Sequence, residues 1–109
     1  MIGSKPKVEG LEERYIQMIG KLASALPDIQ KIILFGSRAK GTHEERSDVD
    51  LCLVLEENAG LNARHFRLDL EEDTVIPYQF DVVYLDEISD SRFKEEILKT
   101  GVVIYEREG

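Results

Sequence analysis

The sequence predicts an α/β (α+β) domain in which a mixed β-sheet of about four strands is flanked by helices. Two observations carry this prediction. Short runs of β-branched and aromatic residues, interrupted by glycine, proline or charged residues, are typical of strands. Apolar residues spaced three and four positions apart are typical of amphipathic helices. The two patterns alternate along 109 residues, a length that suits one small domain with its own core.

The elements follow from these patterns in chain order. The predicted helices span residues 9–26, 63–73 and 89–99, and the predicted strands span residues 31–35, 48–55, 78–85 and 102–105. The first helix is predicted from an apolar stripe between Leu11 and Leu26 that we interpret as core packing. Pro27 should end that helix, and Gly101 should end the last one. Polar residues 1–8 are predicted to be a flexible lead before a single domain at 9–109.

Composition restricts the classes of function. The chain has 14 basic and 22 acidic residues and a net charge of −8, so a direct nucleic-acid ligand is not expected. It lacks both a membrane-spanning apolar run and the apolar core of a signal peptide, so we expect a cytoplasmic protein with no membrane partner. The single cysteine, Cys52, lies between two leucines and is expected to be a buried thiol.

The residues after the first predicted strand suggest a phosphate site. The apolar run stops at Gly36 and Ser37. A glycine lets the backbone approach a ligand closely, and Ser37 could cap a short helix over residues 38–40 whose free N–H groups would face an anion. Arg38 and Lys40 are candidate neighbours of that phosphate. Taken alone, the Gly-Ser pair is only a common turn.

Three aspartates in strand contexts suggest a metal site. Asp48 and Asp50 are two positions apart, so a strand would place both on one face. Asp81 interrupts a third apolar strand, where a carboxylate is costly unless it is paired or bound to a metal ion. If the third strand lies beside the second, all three acids share one site, and divalent ions would relieve their repulsion. Each acid also has a structural explanation, as a strand end, a sheet edge or an ion-pair partner.

These residues together give the sequence a family resemblance. Gly36-Ser37, ten intervening residues, Asp48-Val49-Asp50 and a later strand Phe80-Asp81-Val82-Val83 resemble the minimal nucleotidyltransferases (MNT proteins) of the DNA polymerase β-like superfamily. The resemblance covers most of the chain and implies the nucleotidyltransferase fold. It implies that Gly36 and Ser37 bind a nucleoside triphosphate and that Asp48 and Asp50 bind two Mg²⁺ ions. Asp81 would bind one of these ions and help to activate the attacking hydroxyl.

The resemblance also implies a reaction and a partner. Relatives of this type transfer AMP from ATP to a tyrosine of a helical HEPN-type toxin and so act as antitoxins, whereas others pair with a helical substrate-binding subunit. Because few residues remain outside the predicted elements, we expect a second chain to complete the acceptor site. The alternatives are a non-catalytic module that binds a nucleotide or a partner, and a small-molecule nucleotidyltransferase completed by a separate subunit. The intact set of acids favours an enzyme.

Overall fold

The computed structural model describes residues 10–108, which form a four-stranded sheet and four α-helices. The helices are α1 (Glu13–Ser24), α2 (Gly36–Lys40), α3 (Phe66–Asp73) and α4 (Ser91–Thr100). The strands are β1 (Ile29–Phe35), β2 (Val49–Leu55), β3 (Phe80–Tyr84) and β4 (Val102–Glu106). Short 3₁₀ helices span Leu61–His65 and Leu85–Glu87. The predicted lead, residues 1–8, lies outside the described residues.

The sheet is mixed, as predicted, with the strand order β3-β2-β1-β4. β1 lies antiparallel to both β2 and β4, whereas β2 and β3 run parallel. A parallel neighbour requires a crossover, which the segment containing α3 provides. The starts of β2 and β3 therefore meet at the same end of the sheet.

Three predicted helices differ from the observed ones at their boundaries. α1 begins at Glu13 rather than at residue 9, although Leu11 before it is buried in the core. The predicted helix at 63–73 is divided into a 3₁₀ turn followed by α3, in a region whose apolar residues are only loosely periodic. α4 begins at Ser91 because the Asp90 side chain accepts hydrogen bonds from two backbone N–H groups of the first turn.

The two faces of the sheet are packed unequally. The main core fills the face covered by α1 and α3, and the buried strand residues in it include Ile32, Leu34, Val49, Leu51 and Leu53. On the other face, Ile33, Cys52 and Ile97 of α4 form a smaller cluster, which confirms that Cys52 is buried. Side chains alternate along strands, so Asp50 and Asp81 project from this second face, next to the smaller cluster. None of the helices within residues 10–108 has the length and apolar character needed to cross a membrane.

Candidate active site

Gly36 makes the turn from β1 into α2. Its φ of 74° is left-handed, a conformation that favours glycine. A Cβ atom placed on Gly36 would overlap the Oδ2 atom of Asp50 and lie 3.1 Å from its Cγ atom. The backbone at Gly36 therefore lies directly against a predicted site carboxylate, and a side chain would separate the two.

The predicted capping role of Ser37 is wrong. α2 begins at Gly36, so Phe35 occupies the cap position and makes no side-chain capping bond, while Ser37 lies within the first turn. The reason is that the left-handed Gly36 already turns the chain, so the helix begins at residue 36, two residues earlier than expected. The Ser37 carbonyl accepts the Thr42 N–H at 3.0 Å, and Gly41, with φ 76°, ends the helix.

Asp50 and Asp81 are brought together by the sheet. They are register partners on the parallel strands β2 and β3, where neighbouring backbones lie about 4.8 Å apart. The Val49 N–H donates to the Gln79 carbonyl at 2.9 Å and fixes this register where the two strands begin. The prediction that the third strand lies beside the second is confirmed.

The sequence predicts that Asp48 begins the second strand, but it lies immediately before the observed β2, which begins at Val49, and its side chain is exposed. It nevertheless interacts with its neighbours. Burial raises the pKa of Asp50 above its usual value, and the negative charges of Asp81 and Asp48 raise this pKa further, while Arg38 lowers it. Asp81 and Asp48 therefore both act electrostatically on Asp50.

The residues fit Mg²⁺ that is bound together with a phosphate ligand. Within residues 10–108, no group of three or more His, Cys, Asp or Glu side chains is arranged so that it could hold a metal ion. Mg²⁺ does not require such a group, because it is usually held by one or two carboxylates, with phosphate oxygens and water completing its octahedral shell. Asp50 and Asp81, which are register partners on β2 and β3, would supply one or two carboxylates of this kind.

Arg38 makes its contacts within the protein. Its side chain is only 3% exposed, and its guanidinium donates to the Ser47, Gly10 and Glu45 carbonyls at 3.0, 2.8 and 3.3 Å. It also lies 4.2 Å from the ring centroid of Tyr78. The sequence suggests Arg38 only as a candidate neighbour of phosphate, and in this structure its guanidinium donors are used by backbone carbonyls.

Lys40 is also engaged within the protein. Its Nζ atom lies 2.8 Å from Glu96 Oε1, which links α2 to α4 at an exposed position. Exposed ion pairs of this kind contribute at most about 1 kcal/mol. Lys40 therefore makes a surface contact between two helices, and its suggested proximity to phosphate stays a prediction.

A cleft of about 770 Å³ opens beside Asp48. Its walls come from the start of α1, from the segment before β2 and from the segment before β3, and they include Tyr15, Arg46, Tyr78 and Gln79. The Tyr15 and Tyr78 rings meet edge to face with centroids 5.7 Å apart. Both tyrosines also contact the main core, as expected for structural aromatic residues. Of the three acids, Asp48 lines this cleft, whereas Asp50 and Asp81 do not.

Comparison with known proteins agrees with this geometry. Residues 17–109 match the family model described as polymerase beta, nucleotidyltransferase. The chain is 33% identical over 87 residues to a probable protein adenylyltransferase, MntA, of Haemophilus influenzae; the match covers 80% of this chain and 75% of that protein.

Solved structures resemble the fold. A toxin-antitoxin crystal structure with AMP-PNP gives a TM-score of 0.67 at 23% identity, covering 90% of this chain and 76% of the other. A candidate minimal nucleotidyltransferase gives a TM-score of 0.63 at 25% identity, covering 92% and 98% of the two chains. The sheet with its flanking helices is therefore the nucleotidyltransferase fold, and the chain belongs to the polymerase beta nucleotidyltransferase family.

Proposed function

We propose that the protein transfers AMP from ATP to a hydroxyl group of a helical, HEPN-type protein partner, with the acceptor hydroxyl belonging to a tyrosine, and that it acts as an antitoxin. The observation that carries the proposal is the pairing of Asp50 with Asp81, with the Gly36 backbone against the Asp50 carboxylate. In this arrangement, the turn that would hold the triphosphate lies beside acids that are suited to displacement at phosphorus.

The ATP donor would lie along the Gly36-Ser37 turn, where the backbone can approach a ligand closely. Asp48 and Asp50 would hold two Mg²⁺ ions, and Asp81 would share one of them. The bound ions would neutralise the triphosphate and stabilise charge that develops on the transferred phosphoryl group. Orientation by these side chains would supply a large share of the rate.

The chemical step is an in-line displacement. The acceptor oxygen attacks the α-phosphorus and forms a new P–O bond, while the bond from that phosphorus to the oxygen bridging to the β-phosphorus breaks. Pyrophosphate leaves with the electron pair. Asp81 would assist removal of the hydroxyl proton, because it lies beside Asp50 at the end of the sheet.

The relatives support the choice of donor and acceptor. The H. influenzae relative is described as a probable protein adenylyltransferase, and a structural relative was solved as a toxin-antitoxin with AMP-PNP, an ATP analogue. The open cleft beside Asp48 leaves room for an acceptor carried by another chain. The net charge of −8 favours a partner with a basic surface over a nucleic acid.

The test is co-expression with the product of the neighbouring gene, followed by size exclusion, intact mass measurement and incubation with α-labelled ATP and Mg²⁺. We expect the partner to gain one or more AMP groups with the wild type and none with Asp48→Asn. A partner that binds the wild type without gaining mass would support a non-catalytic binding module instead. Efficient modification of a small molecule by the isolated domain would move the assignment to a small-molecule enzyme.

A further inference from the structure

We infer that Arg38 is a positioning residue that holds the connector, residues 41–48, so that Asp48 occupies the place that nucleotidyl transfer requires. The inference rests on the proposed function, because it assigns a role within that reaction. The Arg38 side chain is buried, and its guanidinium donates its hydrogen bonds to backbone carbonyls rather than to the three acids. Arg38 is the only charged residue among those that are fully buried within residues 10–108.

Three separate segments meet at this one guanidinium. It donates to Gly10 ahead of α1, to Glu45 and Ser47 in the connector, and it lies over the ring of Tyr78 ahead of β3. The same three segments form the walls of the cleft beside Asp48. Arg38 therefore ties together the parts of the chain that border the candidate acceptor side.

The contacts require an arginine in particular. A guanidinium presents five N–H donors in a flat, rigid fork, and here separate nitrogens reach three carbonyls while the plane stacks on an aromatic ring. A lysine would keep the positive charge but would offer a single ammonium that cannot reproduce this geometry. Arg38→Lys thus separates the role of geometry from the role of charge.

The contacts bear directly on Asp48. The residue before it, Ser47, has its carbonyl held by Arg38 Nε at 3.0 Å. The residue after it, Val49, has its N–H held by the Gln79 carbonyl at 2.9 Å. The Asp48 backbone is thereby fixed on both sides although its side chain is exposed. Asp50 and Asp81 do not depend on this arrangement, because strand pairing sets their position.

The packing around Arg38 is close on its backbone side as well. A Cβ atom added to Gly10 would overlap the Arg38 carbonyl oxygen, so the chain ahead of α1 lies directly on the Arg38 backbone. The Tyr78 ring is also anchored at its hydroxyl end, because that hydroxyl donates to the Glu12 carboxylate at 2.9 Å. Because a displacement of about 1 Å can lower a rate roughly a hundredfold, loosening this cluster should reduce catalysis.

The experiment compares Arg38→Lys with the wild type and with Arg67→Lys, a matched substitution on the exposed surface of α3. We measure kcat and KM for ATP in transfer to the partner, together with amide hydrogen exchange across the chain. We expect kcat to fall about tenfold or more in Arg38→Lys while KM changes less than kcat, and amides of the connector to exchange faster while those of β2 and β3 keep their protection. Arg67→Lys should match the wild type in every measurement.

Two further variants, Tyr78→Leu and Arg38→Ala, test the positioning role separately from Arg38→Lys. If Arg38→Lys fails to fold, Tyr78→Leu replaces it, since this variant removes the stacked ring but leaves all three carbonyl contacts, and it should give a smaller fall in kcat. In Arg38→Ala, added guanidinium at low concentration should partly restore kcat, which a general loss of stability would not show.

Specific outcomes would overturn the inference. Unchanged kcat in Arg38→Lys, or a fall in kcat accompanied by faster exchange throughout β2 and β3, would contradict a positioning role. Loss of transfer in Asp48→Asn but not in Arg38→Lys would reject the inference and leave the proposed function intact. If the wild type transfers nothing, the proposed function fails, and an unchanged connector in the Arg38→Lys exchange data would then reject the positioning role separately.

Discussion

Asp50 and Asp81 occupy paired positions on adjacent parallel strands, so two carboxylates that are far apart in sequence project side by side from one face of the sheet. The Gly36 backbone lies against the first of them. This relationship places negative charge where a polar ligand or ion must balance it, and it has measurable consequences for stability and binding.

Asp50→Asn should stabilise the metal-free protein. The pKa of Asp50 is raised above its ordinary value of 3.8, chiefly by burial and then by Asp81 and Asp48, so the ionised side chain opposes folding at neutral pH. In EDTA at pH 7 we expect the variant to unfold roughly 2–5 °C higher than the wild type.

The pH dependence of stability provides a second test of the direction of the Asp50 pKa shift. A carboxyl whose pKa is higher in the folded state takes up its proton there first, so the wild type gains stability relative to Asp50→Asn as pH falls through that raised pKa. The pH-dependent difference in thermal midpoint should disappear only well below pH 3.8, the ordinary pKa of this group, where the residue is protonated in both states. A difference that grows on acidification would contradict this assignment.

Mg²⁺ and ATP should bind together. Because no group of three or more acids within residues 10–108 could hold a metal ion by itself, the protein alone should bind Mg²⁺ weakly, and calorimetry should show ATP affinity rising by about tenfold or more when Mg²⁺ is present. Asp50→Asn should lose most of this increase. Equal ATP affinity in EDTA, in Mg²⁺ and in the variant would remove the metal-dependent mechanism.

Gly36→Ala should disrupt the site, with Gly41→Ala as its control. Both glycines have left-handed φ values, 74° and 76°, so alanine strains the backbone by about 1 kcal/mol at either position. Only at Gly36 would the new methyl group also overlap Asp50, because the space around Gly41 is open. We therefore expect loss of ATP binding in Gly36→Ala alone. Equal ATP affinity in the two variants would show that the overlap is unimportant.

Cys52 should be unreactive in the folded protein. Its side chain is fully buried and burial raises its pKa to about 11, so little thiolate is present at neutral pH. A thiol reagent such as DTNB should label it only as the protein unfolds in denaturant. Cys52→Ala should keep transfer activity but lose about 1–3 kcal/mol of stability through the cavity it leaves. Rapid labelling of the native protein would contradict this burial.

The acids of the site could be predicted from sequence because each leaves a local signal. Asp81 stands out as a charged residue inside an apolar run, and the two-residue spacing of Asp48 and Asp50 follows from strand geometry. Their proximity required only that β3 lie beside β2. The sheet class was likewise predictable from alternating short apolar runs.

The role of Arg38 could not be predicted in this way. Its contacts reach Gly10, 28 residues earlier, and Ser47, nine residues later, and neither separation matches a helix or strand repeat. The start of α2 was misplaced for a related reason, since only the φ of Gly36 reveals that the turn occurs one residue before Ser37. Such features depend on three-dimensional packing rather than on local periodicity.

The crossover between β2 and β3 also determines the order in which the site can assemble during folding. β1 and β2 are antiparallel neighbours joined by a local connection, so their pairing brings Asp50 against the Gly36 turn early. Asp81 arrives only when the longer loop through α3 closes, which carries a greater entropic cost. Under the proposed function, a nascent chain with only the first hairpin formed would have the Gly36 turn without Asp81, so transfer activity would mark completed folding.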